Sequence, residues 1–147
     1  MIRELQVGET GLAYLAIRAL RTDLGDEHSF VRSVDETLRA EGYRLVGAFE
    51  ETSPTPLAVA GFRLGHGLSW GRYLYVDDLS TLPDARRRGH AGRLLDWLVA
   101  EARRLGCDQL HLDSGVGPHR ADAHRLYLGN GYQITGHHFT RHVRTGA

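Results

Sequence analysis

The residues YLYVDDLSTLPDARRRGHAGRLLDWLVAEARRL, Tyr73 to Leu105, decide the fold. They read as a strand-like run, a tight basic turn Arg86-Arg87-Arg88-Gly89-His90-Ala91-Gly92, and an amphipathic helix. Ala91, Leu94, Leu95, Leu98, Val99, Ala102 and Leu105 fall on one helical stripe, with Asp96, Glu101, Arg103 and Arg104 mostly outside it, and Gly106 ends the helix. A turn of this composition at a helix start exposes several backbone N–H groups at once, and the helix dipole adds roughly half a positive charge there. Gly89 and Gly92 let the backbone approach an anion without a Cβ in the way, while Arg86, Arg87, Arg88 and Arg93 supply charge-assisted donors. Such a place binds phosphate, and the ligand it suggests is a pyrophosphate.

Outward from this stretch, Ile2 to Val7 alternates apolar and polar residues as a first strand does, and Leu12, Leu15, Ala16, Ala19 and Leu20 repeat at helical spacing. A second helix is predicted over Phe30 to Ala40, capped by Gly42. Tyr43 to Phe49 and Leu57 to Leu64 read as antiparallel strands joined through Glu51 to Pro56, and His66 to Gly71 as a turn into the strand Tyr73 to Thr81. Beyond the long helix come a short buried strand, Leu110 to Asp113, a helix from Ala121 to Gly129, and two last strands, Tyr132 to Thr135 and His138 to Val143. The order β-α-α-β-β-β-α-β-α-β-β predicts an α/β fold: a mixed, mostly antiparallel central sheet with helices on both faces.

Arg86-x-x-Gly89-x-Ala91 resembles the Arg/Gln-x-x-Gly-x-Gly/Ala signature of the GCN5-related N-acetyltransferase (GNAT) family. Three further features follow the family order: the strand ending Asp78-Leu79-Ser80-Thr81-Leu82-Pro83, the strand Leu110-His111-Leu112-Asp113, and Ala123-x-x-Leu126-Tyr127-x-x-x-Gly131-Tyr132. The segment His119 to Tyr127 most resembles the HPA2-type bacterial members. The resemblance implies that Arg86, Arg87, Arg88, Gly89, His90, Ala91, Gly92 and Arg93 hold the pyrophosphate of acetyl-CoA, and that Leu79, Ser80 and Thr81 meet its pantetheine arm, with main-chain contacts from Leu79 and Thr81. It also implies a role for Tyr127 at the departing thiolate. Many family members carry Asn seven residues before that tyrosine; here the residue is Arg120, so Arg120 or Asp122 is the substitute contact, or neither.

Amide formation from a thioester needs a neutral amine. A lysine-like amine with pKa about 10.4 is mostly protonated at pH 7, and the gap amounts to about 4.6 kcal/mol. Val76-Asp77-Asp78-Leu79, just before the phosphate turn, resembles the acidic pair that some polyamine acetyltransferases of the family carry, which implies that Asp77 or Asp78 binds the cationic acceptor or relays its proton; adjacent strand residues point to opposite faces, so one of the two is expected to look into the acceptor cleft. The equivalent strand in some family members supplies the base, so the resemblance also makes His111 and Asp113 rival bases. A phenol near 10 and a thiol near 8.5 differ by only about 2 kcal/mol, so Tyr127 can serve the leaving sulfur. His124 is expected on a helix surface or against the cofactor.

The rest of the composition narrows the class. A chain of 147 residues suits one domain, 1–147, and 18 Lys and Arg against 18 Asp and Glu leave no global positive field for nucleic acid. The single Cys107 excludes an internal disulfide, and a lack of leader-like and long apolar segments points to a reducing cytoplasm without membrane partners. None of the nine histidines has metal-ligand spacing, so no metal is expected. The acceptor expected is an amine on a small molecule or a lysine side chain, and the family habit implies a homodimer through Tyr132 to Val143. The competing class is a non-catalytic acyl-CoA-binding sensor or interaction module.

Overall fold

The computed structural model describes residues 1–144 and forms two compact units, Met1–Leu112 and a second from Asp113 onward. The first unit holds a five-stranded sheet in the order β1 (Ile2–Leu5), β2 (Arg44–Ala48), β3 (Ala58–Gly67), β4 (Gly71–Thr81), β5 (Gln109–Leu112). Neighbours run antiparallel except β4 and β5, which are parallel, so the sheet is mixed as predicted. A parallel pair needs a crossover, and α3 (His90–Arg104) supplies it.

Alternation along the strands divides the side chains between two faces. On one face Leu45 and Val59 join Tyr14, Ile17, Phe30 and Val34 from α1 (Tyr14–Leu20) and α2 (Glu27–Arg32) and the segment that follows it. On the other, α3 packs on β2, β3 and β4, with Trp97 edge-on to Phe62 at 5.8 Å between ring centres. The α3 stripe predicted from the sequence is the buried one: Leu94, Leu95 and Leu98 are fully enclosed. Helix α2 starts three residues before the expected Phe30, because Asp26 caps it by accepting the Ser29 amide. The chain then passes through a π-helical turn, Ser33–Leu38, and ends at Gly42 with φ of 94°, the left-handed cap the sequence predicted.

The second unit contains α4 (Ala121–Gly129), as expected. The two terminal strands are not formed: residues 132–135 and 138–143 have no strand assignment. A strand exists only with a hydrogen-bonded neighbour, and the apolar residues of the segment, Ile134, Phe139 and Val143, stay exposed. Among the described residues no helix is long and apolar enough to cross a membrane.

One charged cluster clamps helix to sheet in the first unit. Arg44 on β2 donates to both oxygens of Glu4 on β1 (2.8 and 2.7 Å) and to Glu101 on α3 (2.5 Å), which also takes two bonds from Arg104. These bonds, led by Arg104, hold the buried Glu101 carboxyl down at about 2, against an ordinary 4.5. A depressed carboxyl stabilises the fold fully above its unfolded pKa, and the gain fades as pH falls from about 4.5 through about 2. Glu101→Gln should therefore flatten the fall in stability across that acid window, as measured by urea unfolding at stepped pH. An unchanged pH slope would remove Glu101 from the clamp.

Candidate active site

The basic turn sits between β4 and α3, and its backbone is bent for close approach. Arg87 has φ of 65° and Gly89 of 82°, both left-handed, and Gly89 is the residue before the first turn of α3. No side chain caps this helix start, so the first-turn amides have no partner supplied by a capping residue. A Cβ at Gly92 would meet nothing within 4 Å, which leaves the approach to that turn open. A diphosphate fits this arrangement by charge and by donor geometry.

The predicted phosphate residues divide by what their side chains do. His90 is buried; its Nε2 lies 3.0 Å from Glu50 Oε1 and its Nδ1 2.8 Å from Arg93 Nη2. Arg93 is a donor only, so Nδ1 is the acceptor and the Nε2 proton goes to Glu50. Arg93 also donates to the Arg88 carbonyl (3.1 Å), and Arg88 itself donates to Glu50 (3.0 Å). Hydrogen bonds from Arg88, then from His90, hold the Glu50 carboxyl below the usual range. These side chains staple the turn into shape, and the Arg86 side chain beside them is exposed. Glu50 went unnoticed in the sequence because it lies 38 and 40 residues from its partners.

Next to the turn, β4 outruns β5. The parallel pairing covers only Tyr73 to Val76, while β4 continues to Thr81, so no described strand pairs with its last five residues on that side. Leu82 donates its amide to Leu57, toward β3. Backbone alternation then turns the Ser80 amide toward β3 as well, and those of Leu79 and Thr81 toward the open edge. Ser80 itself is buried.

Asp77 and Asp78 behave differently from the expectation that they face opposite ways. The β3–β4 register slips between Gly61 and Phe62, which pair with Asp78 and Val76, so Asp77 is the extra residue of a β-bulge. The slip cancels the alternation, and both carboxylates project on the α1/α2 face. Asp77 takes two bonds from Arg63 (2.8 and 2.9 Å), two residues along β3 from Gly61. Asp78 accepts the Tyr43 hydroxyl (2.7 Å) on one oxygen and Arg21 Nε (3.0 Å) on the other, and Arg21 also reaches the Asp77 carbonyl (2.9 Å). Burial first, and then the charge of Asp78, push the Tyr43 phenol well above 10, so it remains a donor. A Cβ on Gly61 would overlap the Tyr43 hydroxyl, which explains a glycine within this strand. Asp78, not Asp77, borders a cavity of about 380 Å³ between the sheet and α1 and α2.

The remaining candidates are placed as follows. His111 stacks on Trp70 (3.4 Å between ring centres) with its Nε2 2.7 Å from Gln109, and burial lowers its pKa. Cys107 is half-buried in the turn after α3. In the second unit Asp113 faces His138 at 3.5 Å, Asp122 pairs with Arg125 at 2.7 Å, and His124 Nε2 lies 2.8 Å from the Gly115 carbonyl. Tyr127 is half-buried, with Tyr132 edge-on at 6.1 Å; burial raises its pKa and the adjacent Arg120 opposes the rise. Arg120 Nε is buried without a partner. Among the described residues no group of three His, Cys, Asp or Glu is placed to hold a metal ion.

Residues 12–132 match the Acetyltransferase (GNAT) family, and the chain belongs to it. Over 66 residues it is 35% identical to an aminoalkylphosphonate N-acetyltransferase of Salmonella typhimurium, a match covering 45% of this chain and 42% of that protein. The fold recurs in a transcriptional regulator from Bacillus halodurans C-125 (TM-score 0.81, 19% identity, 97% of this chain and 98% of that one). It recurs also in the aminoglycoside N-acetyltransferase AAC(6')-Iy in complex with CoA (TM-score 0.76, 18% identity, 99% and 95%). A third likeness is glucosamine-6-phosphate N-acetyltransferase from Arabidopsis thaliana (TM-score 0.75, 17% identity, 97% and 98%).

Gly61→Ala should displace the Tyr43 ring and destabilise the fold by about 1–3 kcal/mol, the usual cost of an added methyl group in a packed site. Chemical denaturation reads this directly. A stability equal to wild type would show that the ring has room to spare.

Proposed function

We propose that this chain is an acetyl-CoA-dependent N-acetyltransferase that passes the acetyl group directly to a primary amine within a ternary complex. The observation that carries the reading is the open edge of β4 beside an uncapped, basic helix start. The family match runs across both compact units, which supports their acting as one acetyltransferase domain, 1–147. Acetyl-CoA supplies the activated thioester; the chain supplies position and charge.

In this reading the amides of Gly89 to Gly92 and the Arg86 guanidinium take the pyrophosphate, with Arg88, His90 and Arg93 holding the turn in shape, and the Leu79 and Thr81 amides bond the pantetheine arm as a missing strand would. An amide of the same edge faces the negative charge that develops on the acetyl oxygen. Asp78 is the acceptor-side carboxylate, because it borders the cavity. Its Oδ2 receives one hydrogen bond, from Tyr43, and a carboxylate oxygen has capacity for a second donor, an ammonium or a water. Taking up the proton outright would weaken the bonds from Arg21 and Tyr43, so Asp78 orients the amine and its water while the proton leaves through solvent. Asp77, held at both oxygens by Arg63, shapes the bulge. Tyr127 is assigned by the family pattern to the leaving thiolate, and burial keeps it protonated for that task.

The acceptor is a small-molecule or lysine amine; the similar chain that acts on aminoalkylphosphonates supports the small molecule. A cytoplasmic location and a homodimer built on the exposed segment from Tyr132 to Val143 complete the proposal.

Steady-state kinetics with a panel of amines tests these roles. Asp78→Asn should lower kcat/KM for the amine at least tenfold with CoA affinity unchanged, Asp77→Asn should have a smaller effect, and Tyr127→Phe should lower kcat far more than acetyl-CoA affinity. Tight CoA binding with no CoA release from any amine would instead favour the sensor.

A further inference from the structure

The cavity beside Asp78 is built in two parts of different chemistry. Its walls are Ile17, Leu24, Phe30, Val34 and Leu38, all apolar. Three of these, Ile17, Phe30 and Val34, belong to the main core, so one side of the cavity is the floor of a packed interior. The π-helical turn Ser33–Leu38 contributes Ser33, Val34 and Leu38 to the lining: bonding from i to i+5 widens the helix and stacks Ser33 over Leu38, with Val34 turned into the core. The polar end carries Asp78, Tyr43, Arg21 and Asp23. Of these the one cation, Arg21, is already bonded to Asp78, so two carboxylates face one guanidinium and the excess charge is negative.

Resting on the acetyltransferase reading, we propose that this cavity binds the body of the acceptor, and that the acceptor is a primary monoamine on a compact apolar group, an arylalkylamine or a short alkylamine. About 380 Å³ lies within the range of small-ligand sites and accommodates one such body. The ammonium end meets Asp78, and the apolar body covers what Leu24 and Leu38 leave exposed above the buried Ile17, Phe30 and Val34, a gain of roughly 25 cal/mol per Å² covered. A polyamine would carry further ammonium groups against walls with no partner for them, and an aminoglycoside would bring hydroxyls for which Ser33 is the one wall hydroxyl; both are penalised by desolvation. The acidic pair alone suggested any cationic amine. The cavity narrows the class.

The test reads amine binding separately from chemistry. Saturation-transfer NMR on the full chain, with 2-phenylethylamine, hexylamine, spermidine and kanamycin as probes, measures binding with and without CoA. CoA binding is followed in parallel by calorimetry. The account expects saturable binding of 2-phenylethylamine and hexylamine, with spermidine and kanamycin at least tenfold weaker. Leu38→Trp, at the rim where Leu38 is 36% exposed, should fill the space and weaken both apolar amines at least tenfold while CoA binding is kept. Leu24→Trp fills it from the other side and serves if the first variant does not fold. No saturable binding of the apolar amines, binding indifferent to a folded filling variant, or preference for spermidine or kanamycin would each overturn the inference. Binding that follows the cavity without any acetyl transfer would instead overturn the activity and leave the cavity assignment standing.

Discussion

Strand β4 is paired with β3 from Gly71 to Thr81, the bulge at Asp77 aside, but with its parallel neighbour β5 only as far as Val76, and no described strand pairs with the other edge of Asp77 to Thr81. A buried or half-buried backbone must satisfy its amides somewhere. Two features sharpen that demand here. The same strand leads within a few residues into the left-handed turn at Arg87 and Gly89, and the helix that follows has no side-chain cap. Edge, turn and helix start therefore present their donors in sequence, a pattern that suits a ligand with a diphosphate at one end and an amide-bearing arm at the other.

The chemistry on the acceptor side depends on the same strand. An extra residue at Asp77 turns two consecutive carboxylates onto one face, where like charges would repel. Each is met by its own arginine, Arg63 for Asp77 and Arg21 for Asp78, and Asp78 is also met by the Tyr43 hydroxyl lying over Gly61. Tyr43 is buried and fixed, whereas the Arg21 side chain is about half exposed. The anchored bond orients the carboxylate and the exposed one can yield, so Asp78 is held in place without being sealed off.

Much of this was legible in the sequence wherever the signal is local. The stripe Leu94, Leu95, Leu98 gave α3 and its buried face, Gly42 gave the end of the second helical segment, and Gly89 marked the turn at the helix start. What escaped was set by contacts distant in the chain. The bulge cannot be read from Asp77-Asp78, since two polar residues in a row fit either alternation; it follows from the pairing with β3. Tyr43 and Arg21 lie 35 and 57 residues from Asp78, and nothing in their own neighbourhoods marks them. His90 looked like a phosphate ligand because of the arginines around it, yet its ring is buried between Glu50 and Arg93. The last strands failed for a related reason: alternation in Tyr132 to Val143 describes a strand's composition, but no described neighbour pairs with it.

The central claim is that main-chain donors of the β4 edge and the α3 turn grip CoA. Backbone amide chemical shifts of the ¹⁵N-labelled chain, followed during a CoA titration, test it at the level of single residues. The account predicts saturable shifts at Leu79, Thr81 and Gly89 to Gly92, with Ser80, whose amide turns to β3, moving less. Shifts that avoid these residues, or none at millimolar CoA, would contradict it.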